Sequence, residues 1–285
     1  MQLCYRFAGV EYQLEIPEEH VYTDERYLAP FRVDTVSEPH VFRFQYVDIL
    51  DSPVGNFIST EPGFCVFSDG ESSVRYIGSV QDSWQNGYMR VTHRGRAHEV
   101  QILNTSVNRR LNVHTVLNSL ALEHLVTDVQ GFVFHSAFIE WERKAILFTA
   151  PSGTGKSTQA DLWYVHRGTE IINGDRSVIR ISDGTVYAEG IPFAGSSQHC
   201  KNKSLPLAAI VYLEQAPVTK IRKMQGYEAF RRIWEGVSVN TWDKADMAQV
   251  SETVSRTATA IPVFHLACTP DESAVIALEN ALKSR

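Results

Sequence analysis

The sequence predicts an α/β C-terminal domain, an α+β mixed sheet built around a phosphate-binding P-loop, preceded by a β-rich N-terminal domain. Three observations carry this. Up to about residue 110, short alternating or apolar runs are separated by turn clusters. From Asn112 the apolar period lengthens to that of a helix. Then Ala145-Ile146-Leu147-Phe148 leads into Ala150-Pro151-Ser152-Gly153-Thr154-Gly155-Lys156-Ser157-Thr158, an apolar strand, a glycine turn and the opening of a helix. The expected domains are 1–111 and 112–285.

The chain has 285 residues, 44% of them hydrophobic, enough to bury a core in one large or two modest domains. No apolar run approaches the roughly 20 residues that span a bilayer, and the N-terminus lacks the basic-then-apolar layout of a signal peptide. A cytoplasmic protein without a membrane partner is therefore expected. The formal net charge of −6 gives no general attraction to nucleic acid. Cys4, Cys65, Cys200 and Cys268 show no paired spacing, so they are read as reduced thiols rather than zinc ligands or a redox pair.

In the first domain, runs such as Gln2–Phe7, Val41–Val47, Gly63–Phe67, Ser73–Ile77 and Gly87–Val91 read as strands. The clusters Ser52-Pro53-Val54-Gly55, Glu61-Pro62-Gly63, Ser68-Asp69-Gly70 and Gln85-Asn86-Gly87 read as the turns between them. His93, His98 and His114 are isolated in sequence and are read as surface or hydrogen-bonded residues. Val113, Val116, Leu117, Leu120, His124, Leu125 and Val129 then recur at helical spacing until Gly131, predicting one helix that links the halves.

Phe132 to Ile139 and the run ending at Phe148 read as a hairpin whose second strand delivers the loop, which puts His135 on the partner strand. In the loop, glycines let backbone N–H groups turn toward a polyphosphate, and the helix N-terminus adds partial positive charge. Ser152, Gly153, Thr154, Gly155, Lys156, Ser157 and Thr158 are the nucleotide-binding candidates: Lys156 for the β and γ phosphates, and the Ser157 hydroxyl for magnesium. The strict pattern asks for glycine where Ala150 stands, and a small residue with negative φ still lets the loop close.

Arg167-Gly168 reads as a helix C-cap, and Glu170-Ile171-Ile172-Asn173 as a strand leading to Asp175, the leading metal-associated carboxylate, although Asn173-Gly174 is itself a turn signal. Val178–Ile181 and Val186–Glu189 form a further hairpin, and Gly190–Ser197 a small-residue loop suited to lie beside a nucleotide. Ala208–Leu213 reads as a strand and Tyr227–Trp234 as a helix. Lys220, Arg222, Lys223, Arg231 and Arg232 concentrate positive charge, either as a solvated face or, through Arg222, as a cation for a transferring phosphoryl group. Ile261–Ala267 closes the sheet, and Thr269-Pro270-Asp271-Glu272 starts the last helix.

The run from Phe134-His135-Ser136 through Ser152–Ser157, then Arg167-Gly168 and Asn173-Gly174-Asp175-Arg176, resembles the catalytic core of HPr serine kinase/phosphorylases and of the HPr-kinase-like kinases of bacterial peptide-modification clusters. More distantly it resembles ATP-dependent phosphoenolpyruvate carboxykinases. The resemblance implies ATP or another nucleoside triphosphate, magnesium, and His135, Lys156 and Asp175 as catalytic residues, with Ser157, Asp175 and Glu189 toward the metal. The family's strand ends in two adjacent aspartates, and the first falls on Gly174 here. Either Asp175 then serves both metal and proton, or His135 or Glu189 takes the proton, or transfer is lost. The family's later Glu-x-x-Arg-Gly signature keeps only Glu189-Gly190. The implied activity is a Mg-dependent transfer of the ATP γ-phosphate to a serine hydroxyl of a small protein or peptide. A small-metabolite kinase, a carboxykinase-like enzyme and a non-catalytic nucleotide-binding module are the alternatives. The resemblance also admits a homo-oligomer.

Overall fold

The computed structural model describes residues 1–18, 21–22, 27–78, 84–105, 110–193 and 195–284. They divide into two compact units, Met1–Ala121 and Leu122–Arg285. No helix among the described residues is long and apolar enough to cross a membrane. All four cysteines are free thiols, and burial pushes Cys200 up to about 12.

The first unit holds β1 (Gln2–Phe7), β2 (Val10–Glu15), β3 (Val21–Tyr22), β4 (Arg32–Val33), β5 (His40–Val47), β6 (Asn56–Glu61), β7 (Phe64–Ser68), β8 (Ser73–Ile77), β9 (Met89–Arg94), β10 (Ala97–Leu103), β11 (Arg110–Leu111) and α1 (Val113–Ser119). Nine of these strands form one mixed sheet in the order β4-β1-β2-β5-β10-β9-β8-β7-β6, and β11 pairs with β3. Alternation drives it. In β5 the side chains of His40, Phe42 and Phe44 are buried while Arg43 and Gln45 are exposed, the period-2 pattern of a half-buried strand. Parallel pairing joins β5 to β2 on one side and to β10 on the other.

The second unit holds α2 (Leu122–Leu125), β12 (Gly131–His135), β13 (Ala137–Trp141), β14 (Lys144–Thr149), α3 (Lys156–Arg167), β15 (Glu170–Asn173), β16 (Arg176–Ser182), β17 (Thr185–Gly190), β18 (Ser204–Gln215), β19 (Lys220–Met224), α4 (Gly226–Trp234), β20 (Val237–Ser238), α5 (Lys244–Ala260), β21 (Val263–Cys268) and α6 (Glu272–Lys283). Its sheet is also mixed, so the chain is a mixed α/β protein. Strand β18 is the spine: its start pairs antiparallel with β17, and its later residues pair parallel with β14 and β21.

Helices cover both faces of this sheet. Phe138, Leu147 and Ile210 pack with Ala229 and Ile233 of α4 and Val250 and Val254 of α5, whereas Ile139, Ile146, Phe148 and Val211 pack with Trp163 of α3 and Leu278 of α6. A strand buried on both faces needs no polar alternation, which is why residues 145–148 form an uninterrupted apolar run.

Two expectations are corrected. The helix expected from Asn112 to Gly131 is broken: α1 ends at Ser119, Ala121 takes a left-handed φ of 51°, and a 3-10 turn over Val126–Val129 follows α2. An unbroken ladder of i→i−4 bonds cannot run through a left-handed residue, and the β-branched valines do little to resist the break. Strand β12 also does not pair with β13. It lies between β16 and β20, while the hairpin that delivers the loop is β13–β14, turning on Glu142 and Arg143, both at positive φ.

Caps set the helix starts. Asp243 accepts hydrogen bonds from the Ala245 and Asp246 N–H groups at 2.8 and 3.1 Å, fixing the entry to α5. Asp243→Ala is expected to lower stability by about 1 kcal/mol, read as a reduced urea midpoint at unchanged slope.

Candidate functional site

Strand β14 ends at Thr149, and the chain then turns through Gly153 and Gly155, at φ 79° and 117°, into α3. Both angles lie where a Cβ is strained, so glycine is the residue type that lets this loop close. Gly155 is the N-cap of α3 and supplies no side-chain cap, leaving the first turn of the helix to other acceptors. Lys156, the first residue of α3, is buried, and its ammonium lies across the loop, donating to the Ala150 carbonyl at 2.9 Å and the Pro151 carbonyl at 3.4 Å. Burial pushes its pKa down, and the Asp175 charge works against that.

Ser157 points its hydroxyl at the Gly174 carbonyl, 3.5 Å away. Thr158, one residue further along α3, lines a cavity of about 630 Å³ together with Gly153, Thr154, Gly155, Gln159, Gln215 and Cys268. Gln215 reaches the Thr154 carbonyl at 3.3 Å and Gln159 the Cys268 sulfur at 3.3 Å, tying β18, β21 and α3 around the hollow. Ser152 is exposed at the tip of the loop.

The acidic side of the site is aimed by Asn173. This side chain is fully buried; its oxygen accepts from the N–H groups of Asp175 and Arg176 at 2.9 and 3.0 Å, and its amide donates to the carbonyls of Ile191 and Phe193 at 2.9 and 3.0 Å. An asparagine that bonds the backbone two residues on makes a turn, and here the turn presents Asp175. The Asp175 carboxylate stands 3.6 Å from His135 Nε2 and 3.6 Å from Arg176 Nε. His135 first, then the Arg176 and Lys156 charges, hold its pKa below the usual carboxylate value against the opposing effect of burial. The His135 backbone is anchored on both sides: its main-chain N–H donates to the Gly236 carbonyl at 2.8 Å, and its main-chain carbonyl accepts from Thr149 Oγ1 at 3.0 Å.

Asn173→Ala leaves the part-buried N–H groups of Asp175 and Arg176 and the Phe193 carbonyl without this partner, while the Ile191 carbonyl keeps the Cys200 thiol. We expect a loss of about 2 kcal/mol in stability, measured by urea unfolding.

Of the residues singled out by sequence, the structure brings His135, Lys156, Ser157 and Asp175 to one place, at the mouth of the glycine loop. Glu189 is engaged elsewhere: it is buried on β17 and accepts from Arg180 Nε at 2.6 Å and Ser204 Oγ at 2.9 Å. Arg222 on β19 is exposed and forms a two-pronged ion pair with Glu228.

Three arrangements were missed. Gly174 packs against Ser197, whose Oγ and Cβ lie 2.0 and 2.5 Å from where a Cβ on residue 174 would stand, and Gly195 (φ 53°) packs in the same way against Asp175. The Gly190–Ser197 small-residue run was the visible sign of this closeness. His93 and His98 are not isolated. They face one another across β9 and β10, with ring nitrogens 3.0 Å apart, and His98 reaches His40 at 3.0 Å. The Arg94-Gly95-Arg96 turn between the first two could have signalled their pairing. His124 and Asp246 are bonded at 2.9 Å, Asn240 holds the same carboxylate at 2.8 Å, and Asp243 lies alongside. Asn240, Asp243 and Asp246 stand three residues apart around the start of α5, but no spacing joins them to His124.

No family model matches the chain, and no curated protein matches it. Among solved structures it is similar to the HPr(Ser) kinase/phosphatase from Coxiella burnetii, at 10% identity and a TM-score of 0.33, over 53% of this chain and 88% of that one. A likeness of that size carries no argument about this chain.

Proposed function

We propose that the chain binds the phosphates of ATP, or another nucleoside triphosphate, on its glycine P-loop. We further propose that it moves the γ-phosphoryl group to a hydroxyl, with a serine of a small protein or peptide as the acceptor. The carrying observation is the meeting of Lys156 and Ser157, at the start of α3, with the His135–Asp175 pair; a cavity of about 630 Å³ adjoins the same loop at Gly155 and Thr158 but is not lined by those four residues. Lys156 would hold the β and γ phosphates, and the α3 N-terminus would add its partial charge.

The Ser157 hydroxyl and the Asp175 carboxylate are hard oxygen donors of the kind magnesium takes, so they fit the ion; Glu189, committed to Arg180 and Ser204, does not join them. Bound there, magnesium would neutralise phosphate charge. In the transfer, the acceptor oxygen bonds to the γ-phosphorus as the bond to the β–γ bridging oxygen breaks. The nucleoside diphosphate leaves, and the hydroxyl proton passes to His135 or Asp175. Asp175, with its lowered pKa, is ionised at neutral pH. It can also orient a protonated His135.

A second reading is favoured by one observation. Ser197 fills the space where a residue 174 side chain would stand, so no second carboxylate can sit beside Asp175, and the site would bind nucleotide without transferring phosphate. Incubation with γ-labelled ATP, magnesium and serine-containing peptides separates the two. Label in peptide supports the kinase. Saturable binding with all label left in ATP supports the binding module and removes the kinase. Label moved only to a free hydroxylated metabolite makes the acceptor a small molecule.

A further inference from the structure

The first unit contains a buried arginine that forms no ion pair among the described residues. Arg90 on β9 is 5% exposed, and a guanidinium stays protonated at any ordinary pH. Its partners are neutral oxygens: Nε donates to Tyr76 Oη at 3.2 Å and Nη1 to Thr92 Oγ1 at 2.8 Å. Among the described residues no carboxylate lies within ion-pair distance of it, and Nη2 has no hydrogen-bond acceptor. A buried cation left this way costs several kcal/mol unless something compensates it.

The surroundings are built rather than incidental. Tyr76, Arg90 and Gln101 are direct cross-strand neighbours on β8, β9 and β10. The Tyr76 hydroxyl goes on to the Asp51 carbonyl at 2.7 Å, and Gln101 clasps Asp51 through its N–H at 3.1 Å and its carboxylate at 2.6 Å. The next rung on the same face is Thr92, Glu99 and Arg43. This rigid ladder holds the guanidinium at the wall of a hollow of about 290 Å³. Of the other cations lining it, Arg43 is paired with Glu15 at 2.8 Å and Arg94 with Glu71 at 3.7 Å, so Arg90 alone is uncommitted. Three acids also line the hollow, and none of them bonds Arg90: Asp69 is spent on the N–H groups of Glu71 and Ser72, Asp51 holds Gln101, and Glu99 stands one rung away beside Thr92.

We propose that this hollow is a second binding site, independent of the glycine loop, for a small molecule bearing an oxyanion, a carboxylate or a phosphate, which pairs with Arg90. A planar guanidinium with an open edge suits either group, and Asp51 and Glu99 on the rim favour a ligand that also carries hydrogen-bond donors or an ammonium. The volume is that of a small metabolite, near the lower end of ligand pockets at roughly 300 Å³.

The test uses the full chain carrying Lys156→Ala, so that phosphate capture by the loop does not contribute. The Arg90 Nε–H resonance is followed by ¹H–¹⁵N NMR while inorganic phosphate, acetate and glycine are added separately, and affinity is measured by calorimetry with and without Arg90→Gln. A saturable shift at about millimolar concentration, with affinity lowered at least about tenfold by Arg90→Gln, is the expected result. Phosphate acting alone assigns a phosphorylated ligand. Acetate or glycine acting alone assigns a carboxylate, glycine the stronger if the rim acids take part. An Arg90 resonance unmoved by all three overturns the proposal, as does binding that survives Arg90→Gln. The resonance is read in protein that keeps Arg90, so a variant that fails to fold does not hide the answer.

Discussion

Lys156→Ala is expected to lower turnover of γ-labelled ATP by roughly 10²- to 10³-fold, the effect of removing one preorganised charge from a transferring group. The size follows from where the ammonium sits. It is buried at the first position of α3, rests on two carbonyls of its own loop, and feels Asp175 across the site, so its charge is poorly screened. Asp175→Asn keeps the shape and the Asn173 turn but removes the negative charge, and is expected to slow transfer by about 100-fold while nucleotide binding without magnesium changes little. Initial rates over a range of ATP concentrations check both. A Lys156→Ala enzyme within about threefold of wild type in kcat/KM would show that phosphates are held elsewhere.

The other large effect is on folding. Gly174→Asp, which would set a second acid next to Asp175, is expected to destabilise the second unit by about 3 kcal/mol rather than to raise activity. The new Cβ would stand 2.0 Å from Ser197 Oγ and 2.5 Å from its Cβ, distances that no rotamer change of an aspartate relieves, because the clash is at the Cβ itself. Ser197→Gly removes both clashing atoms. The double variant Gly174→Asp/Ser197→Gly is therefore expected to recover part of the lost stability, giving a coupling energy of about 1 kcal/mol or more in a urea-unfolding cycle. Additive effects would mean that the 195–197 turn does not press on Gly174 in solution.

What could be read from sequence was what is contiguous in sequence. The apolar run 145–148, the glycines at 153 and 155 and the Arg167-Gly168 cap describe one strand–loop–helix passage, and each link acts on its neighbour. The Asp175 turn was legible for the same reason. His135 was expected on the strand paired with the one that delivers the loop, whereas β12 pairs with β16 and β20, far along the chain, and hydrophobic periodicity is silent on which strand pairs with which. Asn173 looked like one half of an Asn-Gly turn, since its bonds to Ile191 and Phe193 depend on a loop whose course no local pattern records. Arg90 gave no signal: an arginine in an alternating strand reads as solvent-facing until the loop at Asp51 folds over it.

The parallel pairing around β5 also bears on how the chain is made. β1 and β2 can zip as a hairpin as soon as they emerge, and β5 can then join β2. The other edge of β5 is completed only by β10, which ends at Leu103, and until then Phe42 and Phe44 lie on a strand with an open row of N–H and C=O groups. Vectorial synthesis thus passes through a nascent chain with an exposed, sticky edge that persists for nearly half the length of the first unit. Pausing of the ribosome before β10 has emerged would lengthen that exposure, while pausing after its emergence would let the edge close.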